Sequence, residues 1–181
     1  MKRALIVVDL QNDFCPGGAL AVPEGDQIVP LVNELMEQFA RAGQPIFTTR
    51  DWHPKRHVSF EAQGGIWPPH CVQGTPGAEF HPDMRPPAGA TVITKGDALD
   101  KDAYSGFDGT SLAKQLEDAG VEQIVVCGLA TDYCVRATAL DGMKAGFQVE
   151  VREAAVRGVE VVPGDSQKEL DELQAGGVSL A

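Results

Sequence analysis

The hydrophobic and polar positions of the chain form short apolar runs that alternate with amphipathic stretches. A short, continuous apolar run predicts a strand that is covered on both faces of a parallel sheet. Such runs lie at residues 3–10, 45–50, 90–95, 123–129 and 147–152, and a shorter one, which predicts an edge strand, lies at 178–180. Apolar residues at helical spacing predict four helices. They lie at residues 24–43, 111–119, 131–145 and 163–176.

The alternation of strands and helices predicts an α/β fold. We expect a doubly wound, mainly parallel sheet of about six strands with helices on both faces. A length of 181 residues with 43% hydrophobic content fits a single domain that spans residues 1–181. Ligands of such sheets bind outside the carboxyl ends of the strands. The functional residues are therefore expected at that edge.

Residues 54–90 interrupt the regular pattern. This segment is rich in proline and glycine and shows neither strand nor helix periodicity. An irregular segment of this length inside a compact domain is usually either functional or disordered. It contains Trp67, and histidines lie within it and directly before it, which argues against disorder. We predict an ordered loop that builds a site.

The charge of the chain narrows the class of partner. A net charge of -11 repels nucleic acid and anionic membrane surfaces. It favours a small neutral or weakly charged substrate and is compatible with a homo-oligomer. Neither a signal peptide nor a transmembrane segment is predicted, because Asp9 interrupts the first apolar run.

The four cysteines show no CxxC spacing and no density typical of a disulfide scaffold. A reducing cytoplasm is therefore the expected location. We interpret three of them as structural, with Cys127 in a strand core and with Cys15 and Cys71 partly exposed beside loops.

Cys134 is the candidate nucleophile. It follows an apolar run and lies at a predicted helix start, where Thr131 or Asp132 would be the N-cap. The free amides and the dipole of a helix start lower the pKa of a thiol, and the thiolate is the reactive form. The alternative is a buried structural cysteine.

Asp9 and Lys95 directly follow or end two other predicted strands. A cysteine nucleophile needs a base for its proton and a positive charge for its thiolate. Each residue alone is also compatible with a turn cap or a solvated charge. Their placement at the same edge of the sheet as Cys134 favours catalysis.

A second group of side chains has the composition of a metal site. Asp51 and His53 are two residues apart in an extended segment, so their side chains face the same side. His70 follows a rigid diproline and would complete a set of two histidines and one carboxylate, which suits iron, zinc or manganese. His57 and His81 are rival ligands, and two solvated polar residues are the alternative reading of Asp51 and His53.

Five motifs, in this order, cover nearly the whole chain. They are VVDLQNDF at 7–14, DWHP at 51–54, WPPHCV at 67–72, TKG at 94–96 and GLATDYCV at 128–135. Together they resemble the nicotinamidase (pyrazinamidase) branch of the isochorismatase-like hydrolases. The resemblance implies the three-layer fold of that family and hydrolysis of nicotinamide to nicotinate and ammonia, a step of NAD salvage. It also implies pyrazinamide as a further substrate.

The resemblance also implies a role for each catalytic residue. Cys134 corresponds to the nucleophile that forms a thioester, Asp9 to the general base and acid, and Lys95 to the residue that stabilises the thiolate. The backbone amides of Ala130 and Cys134 correspond to an oxyanion hole, commonly with a cis peptide bond, here between Leu129 and Ala130.

The binding residues follow from the same resemblance. The metal ligands correspond to Asp51, His53 and His70, and the ion, zinc or iron first and manganese third, holds the pyridine nitrogen. The aromatic residues that enclose the ring correspond to Phe14, Trp67 and Tyr104. Ordinary packing remains the alternative for Tyr104.

Two other functions are compatible with the same residues. An isochorismatase-like amidohydrolase that acts on a carbamoyl or ureido substrate would share the catalytic residues without needing the metal set. A metal-bound protein without turnover would bind ligand but release no ammonia.

Overall fold

The computed structural model describes residues Met1 to Ala181 and contains one six-stranded sheet. Its strands are β1 (Arg3–Val8), β2 (Ile46–Asp51), β3 (Thr91–Lys95), β4 (Gln123–Leu129), β5 (Gln148–Arg157) and β6 (Ser179–Leu180). Their order is β3-β2-β1-β4-β5-β6, and every neighbouring pair is parallel. The predicted fold class is confirmed.

Four α-helices cover the sheet. They are α1 (Val29–Arg41), α2 (Leu112–Asp118), α3 (Arg136–Lys144) and α4 (Asp165–Ala175). Alternate side chains of β1 point to opposite faces, so Leu5 and Val7 pack in the cluster that contains α1, while Ile6 packs in the cluster of α2, α3 and α4. Because both faces are covered, the central strands read as continuous apolar runs. None of the helices has the length and apolar character that crossing a membrane requires.

The strand order reverses between β1 and β4, and this switch point places the site. From β1 the chain moves outward to β2, and from β4 it moves outward in the other direction to β5. Crossovers on opposite sides leave a crevice between the loops that follow β1 and β4. The sheet thus forms the site at the carboxyl ends of its strands, as predicted.

Two element boundaries differ from the prediction. The predicted helix from residue 24 begins as a 3-10 turn at Gly25–Ile28, and α1 starts only at Val29. β5 continues five residues past its predicted end at Arg152. After a register shift the strand pairs again with the end of β4.

Residues 54–90 form an ordered loop with two 3-10 turns, Glu61–Gln63 and Pro76–Ala78. The loop is fastened beside the end of β2, since His53 N donates to Cys71 O at 2.9 Å and Gln73 N donates to His53 O at 2.8 Å. The prediction of an ordered loop is confirmed. The predicted partial exposure of two cysteines is wrong. Cys71 lies where this loop is fastened and Cys15 lies in the loop after β1, and both are buried, with 0% and 4% exposure.

Candidate active site

The predicted catalytic residues meet at the carboxyl edge of the sheet. Asp9 follows β1 with a positive φ of 46°, Lys95 ends β3, and Cys134 lies in the turn after β4. Asp51 ends β2 between them. All four side chains are buried.

Lys95 is the centre of this cluster. Its Nζ lies 2.8 Å from Asp9 Oδ2, 2.6 Å from Asp51 Oδ1 and 3.4 Å from Cys134 Sγ. It also donates to the Ala103 carbonyl at 3.3 Å. One ammonium therefore compensates two buried carboxylates and contacts the sulfur.

The Asp9 carboxylate has a further partner besides Lys95. Thr49 Oγ1 donates to Asp9 Oδ1 at 2.7 Å. Asp9 Oδ2 lies 2.8 Å from Lys95 Nζ. These two contacts use only part of the acceptor capacity of the carboxylate, which lies within 4.8 Å of the Cys134 sulfur and can accept a proton.

The pKa shifts follow from burial and from the central ammonium. Burial raises the pKa of Asp9 against the opposing effect of Lys95. Burial also opposes the charge on Asp51, yet Lys95 and His53 hold its pKa below the usual range. Burial would lower the pKa of Lys95, but Asp51 and Asp9 raise it well above its ordinary value, so this side chain is an ammonium at neutral pH.

The Cys134 thiol lies in a π-helical turn, Thr131–Val135, that leads into α3. The turn brings Cys134 toward the sheet. Gly128, with φ 114°, lets β4 pass close to the backbone of Val8, where a Cβ would overlap the Val8 carbonyl. The predicted helix start is confirmed.

Two details of that prediction are wrong. The N-cap is Ala130, without a side-chain cap, and Asp132 instead accepts hydrogen bonds from Val159 N at 2.9 Å and Glu160 N at 3.0 Å. The pKa of Cys134 is raised rather than lowered, because burial and the neighbouring carboxylates outweigh Lys95. The thiol is thus protonated at rest, and the reaction needs a base.

The backbone at Ala130 has the features of an oxyanion hole. The peptide bond between Leu129 and Ala130 is cis, as the sequence motif implies. The Ala130 carbonyl accepts from the Tyr133 and Val135 amides, each at 3.1 Å, whereas the Ala130 amide donates to no protein acceptor. An unpaired N–H beside the sulfur can bind a developing negative charge.

Asp51, His53 and His70 have the geometry of a metal site. Asp51 Oδ2 lies 3.4 Å from His53 Nε2 and 4.0 Å from His70 Nε2. The Nδ1 atoms of both rings lie 2.8 Å from a backbone carbonyl, that of Gly96 for His53 and that of Pro68 for His70. Each Nδ1 therefore carries the proton, and each Nε2 presents a lone pair to the same point.

This donor set fits a divalent transition-metal ion. The backbone supports it, because a Cβ on Gly96 would lie 2.7 Å from His53 Cε1 and would displace the ring. Burial lowers the pKa of His70, and the neighbouring His53 adds to this effect. Burial also opposes protonation of His53, but Asp51 favours it, and the pKa of His53 is raised.

The two rival histidines are not ligands of this site. Both ring nitrogens of His57 are occupied, with Nδ1 2.6 Å from Ser59 Oγ and Nε2 3.0 Å from Lys101 O. This ring stacks on His53 with 4.1 Å between centroids and so supports it from behind. His81 lies in a different surface depression.

An apolar cavity opens above the sulfur. Asp51 and His70 line one side of it, so the cavity joins the metal site to Cys134. The other lining residues are mostly apolar: Phe14, Leu20, Trp67, Tyr104, Ala130, Tyr133, Cys134 and Val159. The three predicted aromatic residues are among them.

Three aromatic side chains form the mouth of this cavity. Trp67 Nε1 donates to Tyr104 Oη at 3.0 Å, and the rings of Trp67 and Tyr133 are 5.1 Å apart. Tyr104 is the most exposed of them, at 36%. The hydrogen bond between Trp67 and Tyr104 joins the loop after β2 to the loop after β3.

The sequence reasoning missed several residues that shape the site. Leu20, Tyr133 and Val159 line the cavity, Thr49 holds Asp9, and Gln11 holds the backbone of Asp51. Gln11 and Tyr133 lie inside the motifs named above and could have been found there. No local sequence signal indicates Leu20, Thr49 or Val159.

Known proteins resemble the chain over its full length. The isochorismatase domain family matches residues 3–180. The nicotinamidase of Escherichia coli (strain K12) is 42% identical over 199 residues, which cover 98% of this chain and 93% of that protein. A crystal structure of the pyrazinamidase of Pyrococcus horikoshii in complex with zinc is 52% identical, with a TM-score of 0.96 and coverage of 100% of this chain and 99% of that one. A protein from L. infantum in complex with nicotinate is 37% identical, with a TM-score of 0.92 and coverage of 99% and 92%.

Proposed function

The chain belongs to the isochorismatase family, and on that premise we propose that it is a nicotinamidase, which hydrolyses nicotinamide to nicotinate and ammonia. One observation carries the proposal. The buried Cys134 thiol, beside Asp9 and Lys95, faces an apolar cavity that is also lined by Asp51 and His70 of the metal site. Such a cavity suits a flat, neutral ring with an amide on one side and a ligand atom on the other.

The reaction begins with Asp9 and Cys134. As the thiol attacks the carboxamide carbon, the Asp9 carboxylate, which lies within 4.8 Å of the sulfur, takes the sulfur's proton. Burial raises the pKa of Asp9 and thus increases its basicity. The Lys95 ammonium, 3.4 Å from the sulfur, stabilises the negative charge as the S–H bond breaks.

The carbonyl oxygen of the substrate becomes an oxyanion when the C–S bond forms. The amides of Ala130 and Cys134 donate to this oxygen. Asp9 then returns its proton to the amide nitrogen, the C–N bond breaks, and ammonia leaves a nicotinoyl thioester on Cys134. A water molecule that Asp9 deprotonates attacks this thioester, releases nicotinate and restores the thiol.

Asp51, His53 and His70 would hold the metal, and we propose zinc or iron, with manganese as a third choice, from the two-histidine, one-carboxylate set. When bound, the ion would supply a positive Lewis-acid centre for the pyridine nitrogen. The chain itself orients the ring, because Phe14 and Trp67 line the cavity beside these ligands.

We propose the cytoplasm as the location of the enzyme. All four cysteines are free thiols, which a reducing compartment preserves. The partner of this site is its small-molecule substrate, nicotinamide. Pyrazinamide also has a ring, a ring nitrogen and a carboxamide, and it therefore fits the same site.

The function is tested by ammonia release from metal-loaded protein. We expect turnover with nicotinamide and pyrazinamide and no comparable turnover with a carbamoyl compound such as N-carbamoylsarcosine. Preference for the carbamoyl compound would favour the other amidohydrolase activity. Tight binding of nicotinamide without ammonia release would show a binding protein and overturn the proposal.

Removing the metal with a chelator is expected to raise the KM for nicotinamide at least about tenfold, which corresponds to about 1.4 kcal/mol of binding. The physical reason is loss of the anchor for the ring nitrogen, while the thiol and Asp9 stay in place. Steady-state kinetics before and after chelation, and after zinc is restored, measure this effect.

A pair of histidine variants provides the matched control. His70→Ala should reproduce the high KM, and His81→Ala, which alters a histidine outside the site, should keep the KM of the unaltered protein. An unchanged KM in the metal-free protein would show that the metal does not anchor the substrate.

A further inference from the structure

Gln11 is a buried amide that the mechanism above does not use. Its side chain has no solvent exposure, and its carboxamide forms three hydrogen bonds of 2.8 Å. Oε1 accepts from Asp51 N, and Nε2 donates to Asp51 O and to Ala78 O. A glutamine side chain can form four such bonds, so this one is nearly saturated.

The need for Gln11 follows from the way β1 ends. β1 and β2 pair as far as Val7 and Thr48, and Asp9 N still donates to Thr49 O at 3.2 Å. At Asp9 the backbone turns away with a φ of 46°, which places the Asp9 carboxylate beside Lys95. Asp51, two residues further along β2 than Thr49, thus loses its partner on the β1 side.

The Gln11 carboxamide takes the place of the missing strand. Its oxygen and nitrogen bond the N–H and C=O of the same residue, Asp51, which in a continuing parallel strand would be bonded by two successive peptide groups of β1. On the other side, Asp51 is paired with Lys95 of β3. The backbone of Asp51 is therefore held on both sides although β1 has ended.

A small displacement of Asp51 would affect two parts of the site. Its Oδ1 lies 2.6 Å from Lys95 Nζ, and its Oδ2 faces both His53 and His70. A shift of its backbone would move the metal-facing oxygen and the position of Lys95 together. Buried groups that orient ligands typically account for 10- to 100-fold in metal affinity.

We propose that Gln11 is a positioning residue, which substitutes for a strand of the sheet to fix Asp51 and so sets the metal affinity of the site. The proposal rests on the proposed function, since it takes Asp51 as a metal ligand. It assigns Gln11 no contact with substrate or with the reacting atoms.

The variants are Gln11→Leu, which removes all three hydrogen bonds, and Gln11→Glu, which keeps the acceptor for the Asp51 amide and nearly the same volume. Asn12→Asp is the matched control. Asn12 Nδ2 donates to Pro76 O at 2.8 Å. Like Gln11, Asn12 therefore ties the segment after β1 to the 3-10 turn Pro76–Ala78, but it does not contact Asp51. The Gln11→Glu protein keeps the test available if Gln11→Leu does not fold.

Two measurements on purified protein test the proposal. The first is the dissociation constant of Zn²⁺, by competition with a metal-binding dye. We expect it to rise 10- to 100-fold in the Gln11 variants and to stay within about twofold in Asn12→Asp. The second is hydrogen exchange of the Asp51 amide in metal-free protein, which should become faster in Gln11→Leu, because its acceptor is lost, and not in Asn12→Asp.

The two measurements separate failure of the inference from failure of the proposed function. If a folded Gln11 variant binds Zn²⁺ as tightly as the unaltered protein, Gln11 is not a positioning residue. If equal losses of affinity occur in the Gln11 and Asn12 variants, the role is only to fasten the loop, and the proposal is overturned. If Asp51→Asn binds Zn²⁺ like the unaltered protein, the metal site of the proposed function is wrong, whatever the hydrogen exchange shows.

Discussion

Cys134→Ala is expected to abolish ammonia release from nicotinamide, with a loss of at least about 10⁴-fold in kcat/KM, while the protein remains folded. The loss is this large because no other group near the carboxamide can form the covalent intermediate. The fold should persist because Lys95, which contacts the sulfur, keeps its ion pairs with Asp9 and Asp51. Initial rates of ammonia release and a thermal melt measure the two effects.

Cys127→Ala is the matched control. Cys127 is fully buried in β4, seven residues before Cys134, and its thiol donates a hydrogen bond to the Ile6 carbonyl, at 3.8 Å. This variant should lose some stability through the small cavity it creates and should keep its turnover. Substantial ammonia release by Cys134→Ala would contradict the assignment of the nucleophile. Mass spectrometry of the unaltered protein during turnover should detect a nicotinoyl adduct that the variant lacks.

The sequence was sufficient for the sheet because the central strands are buried on both faces. β4 spans Gln123–Leu129, as predicted, and the strand ends then located Asp9, Asp51 and Lys95. What could not be predicted depends on pairing between distant segments. β5 continues past Glu153 because it pairs again with Gly128 and Leu129, and no local pattern of residues encodes that pairing.

The site was predictable in its composition and less so in its electrostatics. Spacing alone brought Asp51 and His53 to one side of a strand, and the diproline before His70 favoured this residue as the third ligand. The folded chain adds what each ring bonds, since both ring nitrogens of His57 are occupied and His70 bonds a carbonyl through Nδ1. The helix start beside Cys134 suggested a lowered thiol pKa. The folded protein buries this thiol next to carboxylates, and their effect is larger than that of the helix start and Lys95.

Lys95→Met is expected to produce the largest loss of stability of any single substitution at the site. The Lys95 side chain is fully buried between two carboxylates, and its removal leaves both of them uncompensated in a medium of low dielectric constant. Breaking a buried ion pair in this way typically costs about 3–5 kcal/mol. For a chain of this size, the melting temperature of metal-free protein should fall by about 10 °C.

Lys144→Met is the control for loss of a lysine as such. Lys144 is 75% exposed and pairs with Asp141 on the surface of α3, so its replacement should move the melting temperature by less than about 2 °C. Equal melting temperatures for Lys95→Met and Lys144→Met would show that the buried ammonium does not hold the site together.

A double substitution identifies the origin of the loss. If the uncompensated carboxylates cause it, Asp9→Asn introduced into Lys95→Met removes one of them, and the double variant should be more stable than the sum of the two single losses predicts. The coupling should be absent when Asp9→Asn is combined with Lys144→Met. Additive losses for Asp9 and Lys95 would mean that Lys95 stabilises the fold through the packing of its side chain rather than through its charge. The edge of the sheet would then tolerate two buried carboxylates without the Lys95 ammonium.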